Sequence, residues 1–145
     1  MPEIGRDDRE YWLKMLMGLG IEAYELGEDL FEEEKLCDPD GSVRELKRSV
    51  YAFECECTYR NFRLINSAVM STKERRLMKL RYIKKKQWKD VFRLMNVTTL
   101  RYTYEMHKRA LKRVLSANKD EDFKAVYHAE KERLDALNPY SDECE

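Results

Sequence analysis

The chain lacks the features that mark membrane, secreted and catalytic proteins. No apolar run approaches the roughly 20 residues that a membrane-spanning helix needs. The N-terminus, MPEIGRDDRE, is acidic and has no apolar stretch, which predicts no secretory signal and an intracellular location. The chain has neither a glycine-rich phosphate loop nor a recognisable Ser/His/Asp or Cys/His set, so we do not expect an enzyme.

Metal ligands at useful spacings are also missing. The 4 cysteines and 2 histidines include no Cys-x-x-Cys pair and no paired-histidine spacing. Cys55 and Cys57 stand two positions apart, which on a helix points their side chains about 200° apart and prevents them from sharing one metal. We therefore expect no metal and no other cofactor, and we interpret Cys57 as a small core residue.

Strand-like alternation and repeats of solenoid length are absent, whereas helical periodicity is abundant. The sequence therefore predicts an all-α protein with three regions. Residues 1–70 are expected to form an antiparallel helical hairpin for support or dimerisation. Residues 71–119 are expected to form a three-helix helix-turn-helix region, and residues 120–145 an acidic helical tail.

Two apolar seams define the predicted hairpin. Residues 38–42 form a turn between them, where Ser42 is expected to cap the second helix in a capping box with Glu45. Gly18 and Gly20 favour a break or a kink in the first helix. Because a larger core and a dimer interface need the same apolar stripe, both roles stay open. The first seam comprises Trp12, Leu16, Leu19, Ala23, Leu26 and Leu30, and the second comprises Val43, Leu46, Val50, Phe53, Cys57, Phe62, Ile65 and Val69.

The net charge of zero conceals a strong segregation of charge. Residues 1–40 carry a net charge of −9 and residues 120–145 a net charge of −6. Residues 71–119 carry 16 Lys or Arg against 3 Asp or Glu, a net charge of +13. One basic block between two acidic arms is typical of a module that binds a polyanion, the alternative being an ordinary solvated helical surface. A further hypothesis is that the acidic arms contact the basic face of the same chain.

Three helices are predicted inside the basic block, at residues 72–83, 87–95 and 99–117, with residues 84–86 as a basic connector. At 100° per residue the third helix has two faces. A helix with one packed face and one basic face can enter the major groove of duplex DNA. The packed face comprises Leu100, Thr103, Met106, His107, Ala110, Leu111 and Val114, and the basic face comprises Arg101, Glu105, Lys108, Arg109 and Lys112, flanked by Tyr102 and Tyr104.

Side-chain chemistry assigns roles to these residues. Arg101 suits bidentate reading of guanine, and Glu105 either accepts from cytosine or forms a salt bridge with Arg101 or Arg109. Thr98 and Thr99 can cap the helix and contact a phosphate or a thymine methyl. His107 is expected to be a core histidine. The predicted contacts to the DNA backbone are Lys84, Lys85, Lys86, Lys89, Lys108, Arg109 and Lys112.

The segment ERRLMKLRYIKKKQWKDVFRLMNVTTLRYTYEMHKRAL carries three recognisable features. They are the L-x-x-L-R-Y end of the first helix, Trp88 at the start of the second, and a Y-x-x-H-x-R-A-L pattern in the third. The segment resembles the fourth region of bacterial sigma factors, which binds the −35 promoter element. It is more similar to small phage regulators of the RinA/ArpU type, which carry a sigma-like helix-turn-helix. The resemblance implies that residues 99–117 are the recognition helix, with Thr99, Arg101, Tyr102 and Glu105 at base-reading positions.

The resemblance also implies a role. It points to a phage or prophage transcription regulator, first of all a late-gene activator, in the cytoplasm of a bacterial host. Its partner would be double-stranded DNA, with no membrane involved, and contact with RNA polymerase and with a second copy of the chain stays open. Two alternatives stay open: a DNA-recognition subunit for genome packaging of the small-terminase type, and a protein-interaction adaptor whose basic helices bind an acidic partner.

Overall fold

The structure is a computed structural model that describes residues 8–96 and 99–140. These residues form six α-helices and one π-helical segment, without a strand, so the predicted all-α class is confirmed. No described helix has both the length and the apolar content that crossing a bilayer requires. The elements are α1 Asp8–Leu36, α2 Ser42–Ser67, α3 Thr72–Met78, the π segment Lys79–Ile83, α4 Trp88–Met95, α5 Leu100–Ala117 and α6 Phe123–Leu137.

Helix α1 is continuous from Asp8 to Leu36, so the break that Gly18 and Gly20 favoured does not occur. Gly20 is buried against α2, where an added Cβ would lie 3.4 Å from Cβ of Cys57. The missing side chain at Gly20 thus permits a close approach of the two helices, and packing overrides the low helix propensity of glycine. The predicted α1 seam from Leu16 to Leu30 is buried as expected.

The far end of α2 departs from the predicted seam. Phe62 is 43% exposed and Val69 is 87% exposed, whereas Arg60 and Asn61 are buried in their place. The Asn61 amide donates to the carbonyl of Met17 at 2.9 Å, and Arg60 forms an ion pair with Glu130 of α6. Polar side chains fill this part of the interior because neighbouring helices supply partners for them.

The start of α2 also differs from expectation. Ser42 is the first helical residue and does not cap the helix; Gly41, with a φ of 76°, precedes it. The Asp38 carboxylate instead accepts from the backbone N–H of Val43 at 3.0 Å and of Arg44 at 3.1 Å. Asp38 therefore satisfies two N–H groups of the first turn that would otherwise have no partner.

Helix α6 packs on α1 and α2. Its charged side chains pair there: Lys131 with Glu22 at 3.0 Å, Arg133 with Glu56 at 3.0 Å, and Glu130 with Arg60. The hypothesis that the acidic arm contacts the basic face is wrong for α6. The ion pairs that join α6 to another described helix are made with α1 and α2, and two of the three use a cation of α6 against a glutamate of those helices.

Asp38→Ala should lower the free energy of unfolding by about 1 kcal/mol, since it removes the acceptor of two first-turn N–H groups. Urea denaturation at pH 7 measures the change. Ser42→Ala is the matched control and should stay within a few tenths of a kcal/mol, roughly the range of an exposed surface change. A larger loss for Ser42→Ala than for Asp38→Ala would show that Ser42, and not Asp38, caps the helix.

Candidate nucleic-acid interface

Helix α5 divides into a packed face and an exposed face. The side chain of Thr99 accepts from the backbone N–H of Tyr102 at 3.1 Å and so caps the helix. Leu100 was predicted to pack inward but is 65% exposed, because it lies in the first turn at the edge of a groove. The rest of the predicted packed face is buried: Thr103, Met106, His107, Ala110, Leu111 and Val114.

The exposed face carries a row that we call the α5 stripe: Arg101, Glu105, Lys108 and Lys112. Nε of Arg101 lies 3.3 Å from Oε2 of Glu105, with the Arg101 side chain 86% exposed. Of the roles considered for Glu105, the salt bridge with Arg101 is the one found. Exposed i,i+4 pairs of this kind contribute only about 0.3–0.5 kcal/mol, so a ligand can readily replace the contact.

The other predicted base-reading residues lie at or before the start of α5. Tyr102 lies in the first turn of α5 and is 38% exposed. Thr99 is exposed and uses its hydroxyl oxygen in the helix cap. Thr98 lies outside the described residues.

Arg109 and Arg113 turn from the exposed face towards α3. Nε of Arg109 lies 3.4 Å from Oε2 of Glu74, and Nε of Arg113 lies 3.0 Å from Oε1 of the same carboxylate. Arg109 is therefore half exposed and already paired with an acid, which makes it a weaker phosphate contact than predicted. Sequence reasoning missed Glu74 and Arg113, although their charge and the i,i+4 spacing of the arginines were visible.

Glu74 also builds the start of α3. It accepts from the backbone N–H of Ser71 at 2.9 Å while its own N–H donates to the Ser71 hydroxyl at 3.1 Å, which completes a capping box. Burial alone would raise the pKa of the Glu74 carboxyl. The Ser71 N–H, Arg109 and Arg113 outweigh it and hold that pKa below its ordinary value of 4.5. The carboxylate thus stays charged at neutral pH.

Lys85 was predicted to contact the DNA backbone, and the structure contradicts this. Its side chain is only 9% exposed, forms an ion pair with Glu54 at 3.0 Å and donates to the hydroxyl of Thr58 at 2.8 Å. Its φ of 60° is left-handed. Lys84, Lys86 and Lys89 are exposed and remain candidates.

His107 is a core residue, as predicted. Its Nε2 lies 2.8 Å from the hydroxyl of Tyr82 in a hydrogen bond, and its ring meets Trp88 edge-on at 4.7 Å between centroids. Burial, followed by the fields of Lys14 and Arg81, lowers the pKa of His107 to about 3, so its ring is neutral at physiological pH. The contacts fix the first half of α5 against the π segment and α4.

Comparisons of this chain with protein-family models, with curated proteins and with solved structures found no match. Residues 8–96 and 99–140 also contain no group of three or more His, Cys, Asp or Glu side chains that could hold a metal ion.

Glu74→Gln should lower the Tm at pH 7 by about 3–8 °C, since it weakens charge-assisted hydrogen bonds worth about 1–2 kcal/mol in total. A depressed carboxyl pKa stabilises the fold fully above the unfolded value and progressively less as pH falls through the folded value. The difference from wild type should therefore shrink as pH falls from 4.5 towards 3. Thermal unfolding followed by circular dichroism over this range measures it.

Glu45→Gln is the matched control, because Glu45 makes an exposed i,i+3 pair with Arg48. Its cost should stay near zero at every pH. A Glu74→Gln deficit equal at pH 7 and pH 3 would show that the carboxylate charge does not stabilise α3 and α5.

Proposed function

We propose that this chain is a sequence-specific duplex DNA-binding protein that uses α5 as its recognition helix. In this proposal α3, α4 and α5 form a sigma-like helix-turn-helix, and the chain acts as a phage or prophage transcription regulator, first of all a late-gene activator. The observation that carries the proposal is the α5 stripe, a mostly basic row held outward by an opposite face that is buried from Thr103 to Val114.

Lysines without acidic partners support the electrostatic part of the proposal. Among the described residues no ion pair is found for the exposed Lys84, Lys86, Lys89, Lys108 and Lys112. Some acids elsewhere in the chain are engaged by other cations, as in the pairs that join α6 to α1 and α2. Free lysines neutralise phosphates and release counterions, which gives affinity without sequence preference.

Arg101 supports the sequence-specific part. It stands in the first turn of α5, the part of a recognition helix that reaches base edges. Its contact with Glu105 uses Nε, and the terminal nitrogens supply further N–H donors for guanine. Glu105 in turn orients the guanidinium before DNA arrives.

The N-terminal helices fit a supporting role. Contacts between α1 and α2 pair Gly20 with Cys57 and Gly27 with Val50, as two antiparallel helices of a hairpin do. In the proposal this hairpin carries the helix-turn-helix and provides the dimer interface, with RNA polymerase as a further partner. A dimer would read half-sites about one helical turn apart.

Lys108→Ala/Lys112→Ala should weaken binding to a random duplex and flatten its salt dependence. Each lost phosphate contact reduces the slope of log K against log salt by about 0.9, so the double variant should lose about 2 units. Fluorescence anisotropy at several salt concentrations measures the slope. Lys35→Ala/Lys124→Ala removes the same charge from α1 and α6 and should leave the slope unchanged. Equal slopes for the two double variants would refute the α5 surface, and no duplex binding by wild type would favour an adaptor for an acidic protein.

Arg101→Ala should cost about 1–3 kcal/mol on a duplex selected from a random pool and much less on a scrambled one. The selected duplex is obtained with the wild-type chain, and both affinities are measured at one salt concentration. Lys108→Ala should weaken both duplexes about equally. If Arg101→Ala also weakened both equally, Arg101 would be a phosphate contact and not a base reader.

A further inference from the structure

A groove of about 470 Å³ lies between α1, the π segment, α4 and the first two turns of α5. This volume falls within the range of small-molecule binding sites. Lining residues from α1 include Gly18 and Ile21, and those from α5 include Leu100 and Tyr104. The groove thus borders the start of the proposed recognition helix without using any residue of the α5 stripe.

Aromatic rings form much of its wall. Trp88 meets His107 edge-on, and Tyr82 stacks on His107 at 5.7 Å between centroids. The Tyr82–His107 hydrogen bond fixes both rings. A rigid aromatic wall suits a ligand with a flat ring, because stacking then needs little ordering of the site.

Two cations line the same groove, and two of its lining residues each contain a buried polar atom without a partner. Lys14 is exposed and Arg81 is half buried, with its guanidinium 4.9 Å above the Trp88 ring. Neither forms an ion pair in the part of the chain that the structure describes, although the field of Glu25 reaches Arg81. Nε of Arg81 and the hydroxyl of Thr103, a residue only 3% exposed, are buried without a hydrogen-bond partner. Such atoms cost about 1–3 kcal/mol each unless a partner arrives.

Gly18 is the most informative residue of the wall. A Cβ added there would meet no atom within 4 Å, so close packing does not require glycine. Glycine inside a helix costs about 1 kcal/mol against alanine. The absence of a side chain keeps this part of the groove open.

We propose that this groove binds a small organic anion with a planar aromatic body. The ring lies against Trp88 and Ile21, and the acidic group pairs with Lys14 and Arg81. Because the groove borders the first turns of α5, the bound anion acts as an effector of DNA affinity, a consequence that rests on the proposed function. Binding itself does not depend on DNA.

The probe for this site is 8-anilinonaphthalene-1-sulfonate, an anion with a planar naphthalene ring whose fluorescence rises in apolar surroundings. The full-length chain should bind it saturably at one molecule per chain. In a Trp12→Phe background Trp88 is the remaining tryptophan of the 2 in the sequence, and its emission should be quenched in parallel. Absence of quenching would place the probe elsewhere and overturn the proposal.

Gly18→Leu separates binding from folding. Leucine fills open space and has a better helix propensity, so Tm should stay equal or rise while affinity for the probe falls at least about tenfold. Gly18→Ala leaves room in the groove and should bind almost as well as wild type. Unchanged binding by a folded Gly18→Leu chain would overturn the proposal.

The role of charge is tested with N-phenyl-1-naphthylamine, which has the same aromatic body without the sulfonate. Wild type should bind this neutral probe about tenfold more weakly, and Lys14→Gln should reduce the difference. Lys112→Gln removes the same charge from the α5 stripe and should leave both affinities unchanged. Equal affinity for the two probes in wild type would indicate a purely apolar occupant, such as a side chain of a partner protein, and would overturn the anion site.

These measurements contain no DNA, so they stand if the proposed function fails. The effector role is tested separately by measuring duplex affinity with and without saturating probe. A change in wild type that disappears in Gly18→Leu supports it. Equal duplex affinity in both conditions would leave an anion site that is not an effector site.

Discussion

The carboxylate of Glu74 is shared by three donors while its side chain is only 4% exposed. The backbone N–H of Ser71, the guanidinium of Arg109 and the guanidinium of Arg113 all reach it. A shielded charge is costly unless its partners are all in place, so the carboxylate imposes one arrangement on them. It joins the start of α3 to the second half of α5. The position of α5, and with it every residue that α5 exposes, depends on this junction.

A second contact fixes the other half of the same helix. The hydrogen bond between His107 and Tyr82 holds α5 against the π segment, and Met106 fills the adjacent core. A helix held at two points along one side cannot rotate, because a turn of 100° would bury Lys108 and expose Met106. Helix α6 does not neutralise the positive charge of Lys108, because its ion pairs with other helices are made with α1 and α2. Among the described residues, Lys108 and Lys112 on this surface form no ion pair.

Periodicity predicted which side chains are buried where the spacing within one helix determines it. It failed where contacts with residues distant in sequence determine it. The burial of α5 and the seam of α1 follow from the spacing of apolar residues, so both could be predicted. Phe62 was placed in the interior because it is apolar, although it lies five residues after Cys57. Asn61, four residues after Cys57, takes that place through a bond to Met17, 44 positions away. Lys85 was placed on the surface because it lies in a basic run, but its ion pair with Glu54 holds its side chain in the interior. Neither Met17, the partner of Asn61, nor Glu54, the partner of Lys85, lies within the local pattern. The base-reading and phosphate-contacting roles stay predictions.

The irregular backbone around Lys85 lies next to the groove that we propose as a binding site. The turns of the π segment and of the residues that follow it are wide. The backbone N–H of Lys84 donates to the carbonyl of Lys79 at 2.8 Å, and that of Lys86 donates to the carbonyl of Leu80 at 3.0 Å. Lys85 adopts a left-handed conformation that glycine would take more easily, and its contacts with α2 offset the strain. Turns of this width often occur at functional sites, since they redirect side chains without ending the helix. Here they set Arg81 over Trp88 and Tyr82 against His107, which shapes the groove and ties it to α5. An occupant of the groove would therefore act on the same contacts that orient the basic surface.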